Sequence, residues 1–337
     1  MLPRPLLVGL PGLTLDAAWA KVLQDLQPCG YILFRRNCQS SAQVAALVAR
    51  LRDLHPYPLR VLVDQEGGRV NRLNWLPYQG PAPQRLGQLY QVAPATGLRA
   101  AYLNALLLGG QLRQLGIDTN CFPLADVLTP ATHAVIGDRA FGADPYAVAA
   151  LCRASIAGLQ AGGCYPVLKH APGHGRATAD SHLTLPRVEA AAALLASHDF
   201  IPFRHNHDCP FVMTAHVHYP ALDPQHCATH SATVMQQVLR QQLGLTGLIM
   251  SDDVYMAALS GPLPVRTQQA LDAGCDLALV CQSVLPDLLD LTRTIAPCTA
   301  AFWQRWQALP ALTPATAAAL AAAQADLSTL APQLLAA

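Results

Sequence analysis

No two cysteines in this chain form a Cys-x-x-Cys pair, although there are ten of them. The spacing used by redox motifs and zinc sites is therefore missing. Several cysteines, such as Cys275 in Ala273-Gly274-Cys275-Asp276, lie within apolar runs. Buried free thiols are expected, the usual state in a reducing compartment. Charge is scarce as well: Asp, Glu, Lys and Arg make up 13% of 337 residues, and the formal net charge is +1, where an average soluble domain has about 25% charged residues. This balance gives no electrostatic reason to expect a nucleic acid or an anionic membrane as partner. No uninterrupted apolar stretch reaches about 18 residues, which excludes a membrane-spanning helix. The opening Met1-Leu2-Pro3-Arg4-Pro5 runs directly into an apolar strand-like segment. It lacks the basic region and long apolar run of an export signal, so a cytoplasmic location is expected.

What the chain has in plenty is apolar residues, at 52%. Much of the excess is alanine, which suggests closely packed helices. Short apolar runs at 6–9, 31–34, 61–63, 117–121, 167–169, 211–214, 248–250 and 277–280 read as eight strands. Between them, stretches such as 16–26, 41–54, 96–115, 146–161, 188–203 and 232–243 carry apolar residues at helical spacing. Ser40 or Ser41 is placed to cap a helix, Asp144 before Pro145 to cap another, and Gly116 and Gly162-Gly163 to end two more. Alternating strands and helices imply right-handed βαβ units and a parallel sheet. Eight units suggest a (β/α)8 TIM-type barrel, formed as one catalytic domain over residues 1–337 with a helical tail from about 310. An open doubly wound sheet is the alternative, but no Gly-x-Gly-x-x-Gly follows an early strand.

A barrel of this kind builds its site from the C-terminal ends of the strands, and the polar residues gather there. The third run leads into Asp64-Gln65-Glu66-Gly67-Gly68-Arg69-Val70-Asn71-Arg72. Asp126 and Gly137-Asp138-Arg139 follow the fourth, and the fifth leads into Lys169-His170-Ala171-Pro172-Gly173-His174-Gly175. The sixth ends in Thr214-Ala215-His216 and the seventh in Ser251-Asp252-Asp253. Two carboxylates at the end of an apolar strand are costly unless neighbours pair with them. Function is the usual reason to retain them, with capping of the next helix the plainer one.

Lys169 to Gly175, followed by Asp180-Ser181-His182, resembles the signature of family 3 glycoside hydrolases, and specifically their bacterial β-N-acetylglucosaminidase branch. Val63-Asp64-Gln65-Glu66-Gly67-Gly68-Arg69-Val70 and Ser251-Asp252-Asp253 match two further blocks, in the same order. The resemblance implies a nucleophile at Asp252, a general acid/base at His182 with Asp180 as its partner, and sugar-binding roles for Asp64, Arg72, Arg139, Lys169 and His170. It also implies a small carbohydrate substrate from peptidoglycan recycling, N-acetylglucosaminyl-1,6-anhydro-N-acetylmuramic acid and its peptides, with no cofactor and no metal. A monomer is expected. The chain departs from the family at His218, where an aliphatic residue is usual, at Tyr255, where a small one is, and at Ala171, where a bulkier one is common. His218 and Tyr255 are expected to reshape the cleft that receives the leaving group.

The chemistry agrees with these roles. Retaining glycoside cleavage needs a carboxylate beneath the anomeric carbon and a proton donor at the leaving oxygen. An imidazole is an unusual donor, but its ordinary pKa of ~6.5 lies near neutrality. Asp180, two residues from His182, would fix its tautomer. The loop from Gly173 to His182, rich in small residues, is expected to close over bound sugar. Plainer roles are expected elsewhere: His174 holds its turn, Asp253 caps a helix and braces Asp252, and Asp126 and Asp138 are turn residues. Glu66 starts a helix or pairs with Arg69, while His198, His205, His207, His226 and His230 lie on the surface. Two rivals remain, a metal-dependent amidohydrolase using His216-Val217-His218 and a sugar-binding barrel without catalysis.

Overall fold

In a computed structural model that describes residues 2–334, eight parallel strands close into a barrel. They are Arg4–Gly9, Pro28–Leu33, Arg60–Val63, Thr119–Asn120, Tyr165–Ala171, Phe211–Thr214, Leu248–Asp253 and Leu277–Val280. Counted in chain order, they run around the barrel as 1-8-7-6-5-4-3-2. All eight apolar runs are therefore strands. The fourth is shorter than expected because the chain turns at Phe122, whose N–H donates to the Asn120 carbonyl, and Pro123 has no N–H to continue a ladder.

Side chains alternate along each strand. Leu7, Ile32, Leu62, Val167, Met213, Met250 and Leu279 fill the barrel interior, while Leu6, Val8, Val61, Val63, Leu168, Val212, Ile249 and Ala278 face the surrounding helices. Helix Ala300–Gln307 seals the bottom of the barrel. Its Trp306 is fully buried against Phe211 and Phe302, donates to the Pro58 carbonyl at 3.2 Å, and lies beside the Arg60 guanidinium.

The helices follow the sequence pattern with instructive exceptions. Ser40 Oγ accepts from the Gln43 amide and Asp144 Oδ1 from the Tyr146 amide, and Gly163 ends Pro145–Gly162 with φ +90°. The segment at 188–203 is broken: it begins extended, with the Val188 amide bonded to His218, and then forms two short helices, Ala192–Ser197 and Ile201–His205. Pro202 is tolerated only in a first turn, so a single continuous helix is excluded. Val234–Gln242 winds as a π-helix. Beyond residue 310, helix Ala317–Leu330 lies on Pro94–Gln114. All ten cysteines are buried and unpaired with one another as disulfides. Among the described residues, no helix is long and apolar enough to cross a membrane.

The small residues allow the close helix packing. A Cβ on Gly158 would stand 2.2 Å from the Tyr102 carbonyl oxygen on the neighbouring helix Pro94–Gln114. Backbone cannot step aside as a flexible side chain would. Gly158→Ala is expected to destabilise the fold by about 1–3 kcal/mol, the usual cost of overpacking. A thermal melt checks this, and an unchanged Tm would contradict the packing account.

Candidate active site at the barrel mouth

The inward rows change character as they reach the top of the barrel. Leu62 is followed two residues later by Asp64, Val167 by Lys169, and Met250 by Asp252. The two-residue period of a strand thus aims all three polar groups into one cavity of about 1100 Å³. Arg72, Arg139, His170, His174 and His182 also line it.

A network of ions forms one side. Lys169, 2% exposed, places Nζ 2.9 Å from Asp64 Oδ1 and 2.7 Å from Glu66 Oε1. Arg139 grips Glu66 with both arms, at 2.8 Å each, and donates to the Val135 carbonyl. Arg72 lies farther off, 3.6 Å from Asp64 Oδ2. The small hairpin of Gln65–Gly67 and Val70–Asn71 delivers Glu66 and Arg72, while the turn Gly137–Arg139 delivers Arg139. Burial alone would raise the pKa of Asp64 and Glu66, but the nearby cations hold both below the ordinary carboxylate range. Burial likewise opposes the charge of Lys169 and Arg139, and the carboxylates more than compensate, raising both. Asp64, Glu66, Lys169 and Arg139 therefore stay ionised near neutrality.

A second set orients the imidazoles. Asp126 is fully buried; Oδ2 bonds His170 Nδ1 at 2.7 Å, and Oδ1 accepts from the His174 amide at 2.6 Å. Burial pushes its pKa up, but His170 and His174 bring it down to about 2. The pairing fixes the His170 tautomer and leaves Nε2 for a ligand. His174 bonds Ser181 Oγ through Nε2 at 3.2 Å, and burial lowers it to about 4, so it is neutral.

Asp252 stands at the last inward step of its strand, where the pairing with the eighth strand shifts register between Leu277 and Leu279. Irregularities of this kind re-aim side chains. Its Oδ1 accepts from the Asp253 amide at 2.8 Å. Burial raises its pKa, yet His216, His170, that amide and Lys169 leave it lowered overall. Burial keeps His216 itself low, so its contribution fades near neutral pH, whereas the amide and Lys169 do not depend on the charge of an imidazole. Asp253 turns the other way: Oδ1 accepts from the amides of Tyr255 and Cys281, tying the seventh strand to the eighth.

His182 lies on the loop after the fifth strand, with its side chain 62% exposed. Asp180 Oδ1 bonds both its Nδ1, at 2.8 Å, and its amide, at 2.9 Å. The loop is pinned at its start by Tyr219 to the Gly173 carbonyl and by Arg176 to Asp199, each at 2.6 Å. Farther on, the Ala257 amide donates to the His182 carbonyl. Burial raises the Asp180 pKa, but the His182 amide and ring lower it overall.

Asp252, His182, Asp64, Arg72, Arg139, Lys169 and His170 thus meet in one cavity, and Asp180 stands behind His182. Several plainer expectations need correction. Glu66 is fully buried and pairs with Arg139 and Lys169, while Arg69 pairs with Asp138 at 2.6 Å. Asp126 is a buried positioner of two histidines rather than a simple turn residue. Asp253 caps a turn and braces the barrel; no helix begins there. His198 and His230 are half-buried, near Asp199 and the Arg266 carbonyl. His218 does not shape the cleft: its backbone bridges to Arg187 and Cys227, and its ring sits between Arg187 and the Asp223 carbonyl. His216 uses both ring nitrogens, on Thr229 and the Asp253 carbonyl. The two do not converge as the amidohydrolase alternative requires.

Comparison with known proteins gives one family. Residues 8–299 match the glycosyl hydrolase family 3 N-terminal domain. A beta-hexosaminidase of Alkalilimnicola ehrlichii is 41% identical over 285 residues, covering 83% of this chain and 81% of that protein. One from Xylella fastidiosa is 40% identical over 284 residues, covering 83% and 84%. The structure of NagZ from Neisseria gonorrhoeae in complex with N-trifluoroacetyl-D-glucosamine superposes with a TM-score of 0.88 at 34% identity, covering 98% of this chain and 99% of that one.

Asp253 supplies a pH test. Burial raises it from 3.8 to about 6, with the charge of Asp252 adding to the effect. A carboxyl raised in the folded state stabilises below its unfolded pKa, and that contribution is lost as pH rises through the folded value. Asp253→Asn keeps an acceptor oxygen but cannot ionise. Its Tm relative to the wild type is expected to climb from about pH 4 to pH 7, most steeply below the folded pKa of about 6. A difference independent of pH would contradict the assignment.

Proposed function

The chain belongs to glycosyl hydrolase family 3, and on that premise we propose that it is a retaining exo-β-N-acetylglucosaminidase with Asp252 as nucleophile and His182 as acid/base. The observation that carries this reading is the pairing of an ionised carboxylate on a rigid strand end with an imidazole–carboxylate dyad on a pinned loop, facing one cavity. Asp252 attacks the anomeric carbon as His182 gives its proton to the leaving oxygen, and a glycosyl-aspartate ester remains. His182, now neutral, takes a proton from water, which attacks the same carbon and releases the sugar and the Asp252 carboxylate. Asp180 holds the tautomer through both steps. Because Asp252 supplies the nucleophile, the acetamido group of the substrate is not needed for attack.

Asp64, Arg72, Arg139, Lys169 and His170 are assigned to the sugar. Fixed charges already paired with one another need little rearrangement when a ligand arrives. The substrate is read as N-acetylglucosaminyl-1,6-anhydro-N-acetylmuramic acid and its peptides, released in the cytoplasm during peptidoglycan recycling. The chain acts as a monomeric single domain. This finer identification rests on the likeness of the Lys169–Gly175, Asp64 and Ser251-Asp252-Asp253 blocks to that branch of the family.

The test compares aryl β-N-acetylglucosaminide with the matching β-glucoside. Wild-type enzyme is expected to favour the first by about 10²-fold or more, since polar groups shaped for an amide are left unpaired by a hydroxyl. On the favoured substrate, His182→Ala is expected to release a burst of phenol and then slow, because the activated phenol leaves without help but water lacks its base. Azide, needing no base, should restore turnover and yield the β-glycosyl azide. Equal rates on the two substrates would overturn the sugar assignment, and the absence of both burst and rescue would overturn the role of His182.

A further inference from the structure

The two arcs of the barrel mouth differ in their balance of buried charge and large apolar side chains. The order 1-8-7-6-5-4-3-2 makes the loops after strands seven, eight, one and two one continuous arc. The ion network belongs to the loops after strands three, four and five. On the other arc the apolar lining is Tyr255 after strand seven, Val284 and Leu285 after strand eight, Trp19 after strand one and Phe34 after strand two, interspersed with the polar side chains of Arg36, Gln282 and Ser283. Asp252, at the end of strand seven, stands at the boundary. Val284 is 52% exposed, and Trp19 and Tyr255 are half-buried. Apolar surface gathered on one side of a cleft gains from being covered by a matching apolar ligand surface.

Tyr255 is held at both ends. Its amide donates to Asp253 Oδ1 at 3.0 Å, and its hydroxyl donates to Asp287 Oδ2 in the first turn of helix Leu285–Thr294. Burial and the neighbouring Asp287 carboxylate both push the phenol's pKa up, so it stays neutral. A ring fixed in this way lines the cavity and can be covered by a ligand at little entropic cost.

Building on the glycosidase reading above, we infer that this arc is the leaving-group subsite and that Tyr255, steadied by Asp287, is its specificity-determining residue, favouring leaving groups with an apolar or aromatic face. The polar arc serves the sugar that becomes attached to Asp252. The group beyond the scissile oxygen then meets the aromatic arc.

Calorimetry with two ligands that are not turned over tests the division: N-acetylglucosamine, and phenyl 1-thio-β-N-acetylglucosaminide, which adds an aromatic leaving group through sulfur. Tyr255→Ala is expected to weaken the thioglycoside about tenfold while N-acetylglucosamine binds within about twofold of wild type. Tyr255→Phe, which keeps the ring but loses the bond to Asp287, is expected to weaken the thioglycoside by only about two- to threefold and to leave N-acetylglucosamine unchanged. Equal weakening of both ligands by Tyr255→Ala, no weakening of either, or a loss in Tyr255→Phe matching that in Tyr255→Ala would each overturn the inference. Wild-type protein that fails to bind N-acetylglucosamine at all would instead overturn the sugar assignment, and this inference with it.

Discussion

The structure of the site depends on one buried charge. Lys169 reaches the barrel mouth almost without exposure to water, and an ammonium in that position must be matched. Asp64 and Glu66 match it, and Arg139 in turn balances Glu66. The chain of pairs joins the fifth strand to the hairpin after the third and the turn after the fourth. The fifth strand, the hairpin and the turn are thereby held in one geometry by side chains. Buried ion pairs are weak contributors to stability against an apolar alternative, because desolvation offsets most of the attraction. Their presence is better explained by what they offer a ligand: donors and acceptors already oriented, in a place where water competes poorly.

The barrel supplies the other half of the arrangement. Its interior is apolar from the Trp306 seal upward, and the alternation that buries Leu62, Val167 and Met250 delivers Asp64, Lys169 and Asp252 one step higher. Asp252 therefore sits on backbone that cannot easily move. His182 differs: it is exposed, and its loop is fixed at the base by Asp199 and Tyr219. A nucleophile needs fixed distance to one carbon, while an acid/base must serve both a leaving oxygen and an incoming water. The contrast in anchoring suits the two roles proposed for Asp252 and His182.

The architecture was legible because it depends on local pattern. Eight apolar runs separated by helical spacing leave few topologies, and the polar clusters after those runs lie where a barrel gathers its loops. The Asp180-Ser181-His182 pairing could be read because both residues lie within one turn. Pairings across the barrel could not. Nothing near Glu66 distinguishes Arg69, three residues on, from Arg139, more than seventy residues away, and proximity along the chain pointed to the wrong partner. Asp126 looked like a turn residue because its histidines arrive from the next strand. His218 looked like part of the cleft because it departs from the family pattern, but backbone bridges to Arg187 and Cys227 hold it away from the cavity. The link between Tyr255 and Asp287 joins the loop after strand seven to the helix after strand eight and has no signal in either segment.

The proposed mechanism requires Asp252 to become covalently attached to sugar. A 5-fluoro glycosyl fluoride of N-acetylglucosamine slows both steps but accelerates the first through its leaving group, so the intermediate should persist. Mass spectrometry of the intact protein, followed by peptide mapping, reads the result directly. One sugar on the peptide containing Ser251-Asp252-Asp253, localised to Asp252, is the predicted outcome. A label on another carboxylate, or no label from a reagent that is nevertheless turned over, would contradict it.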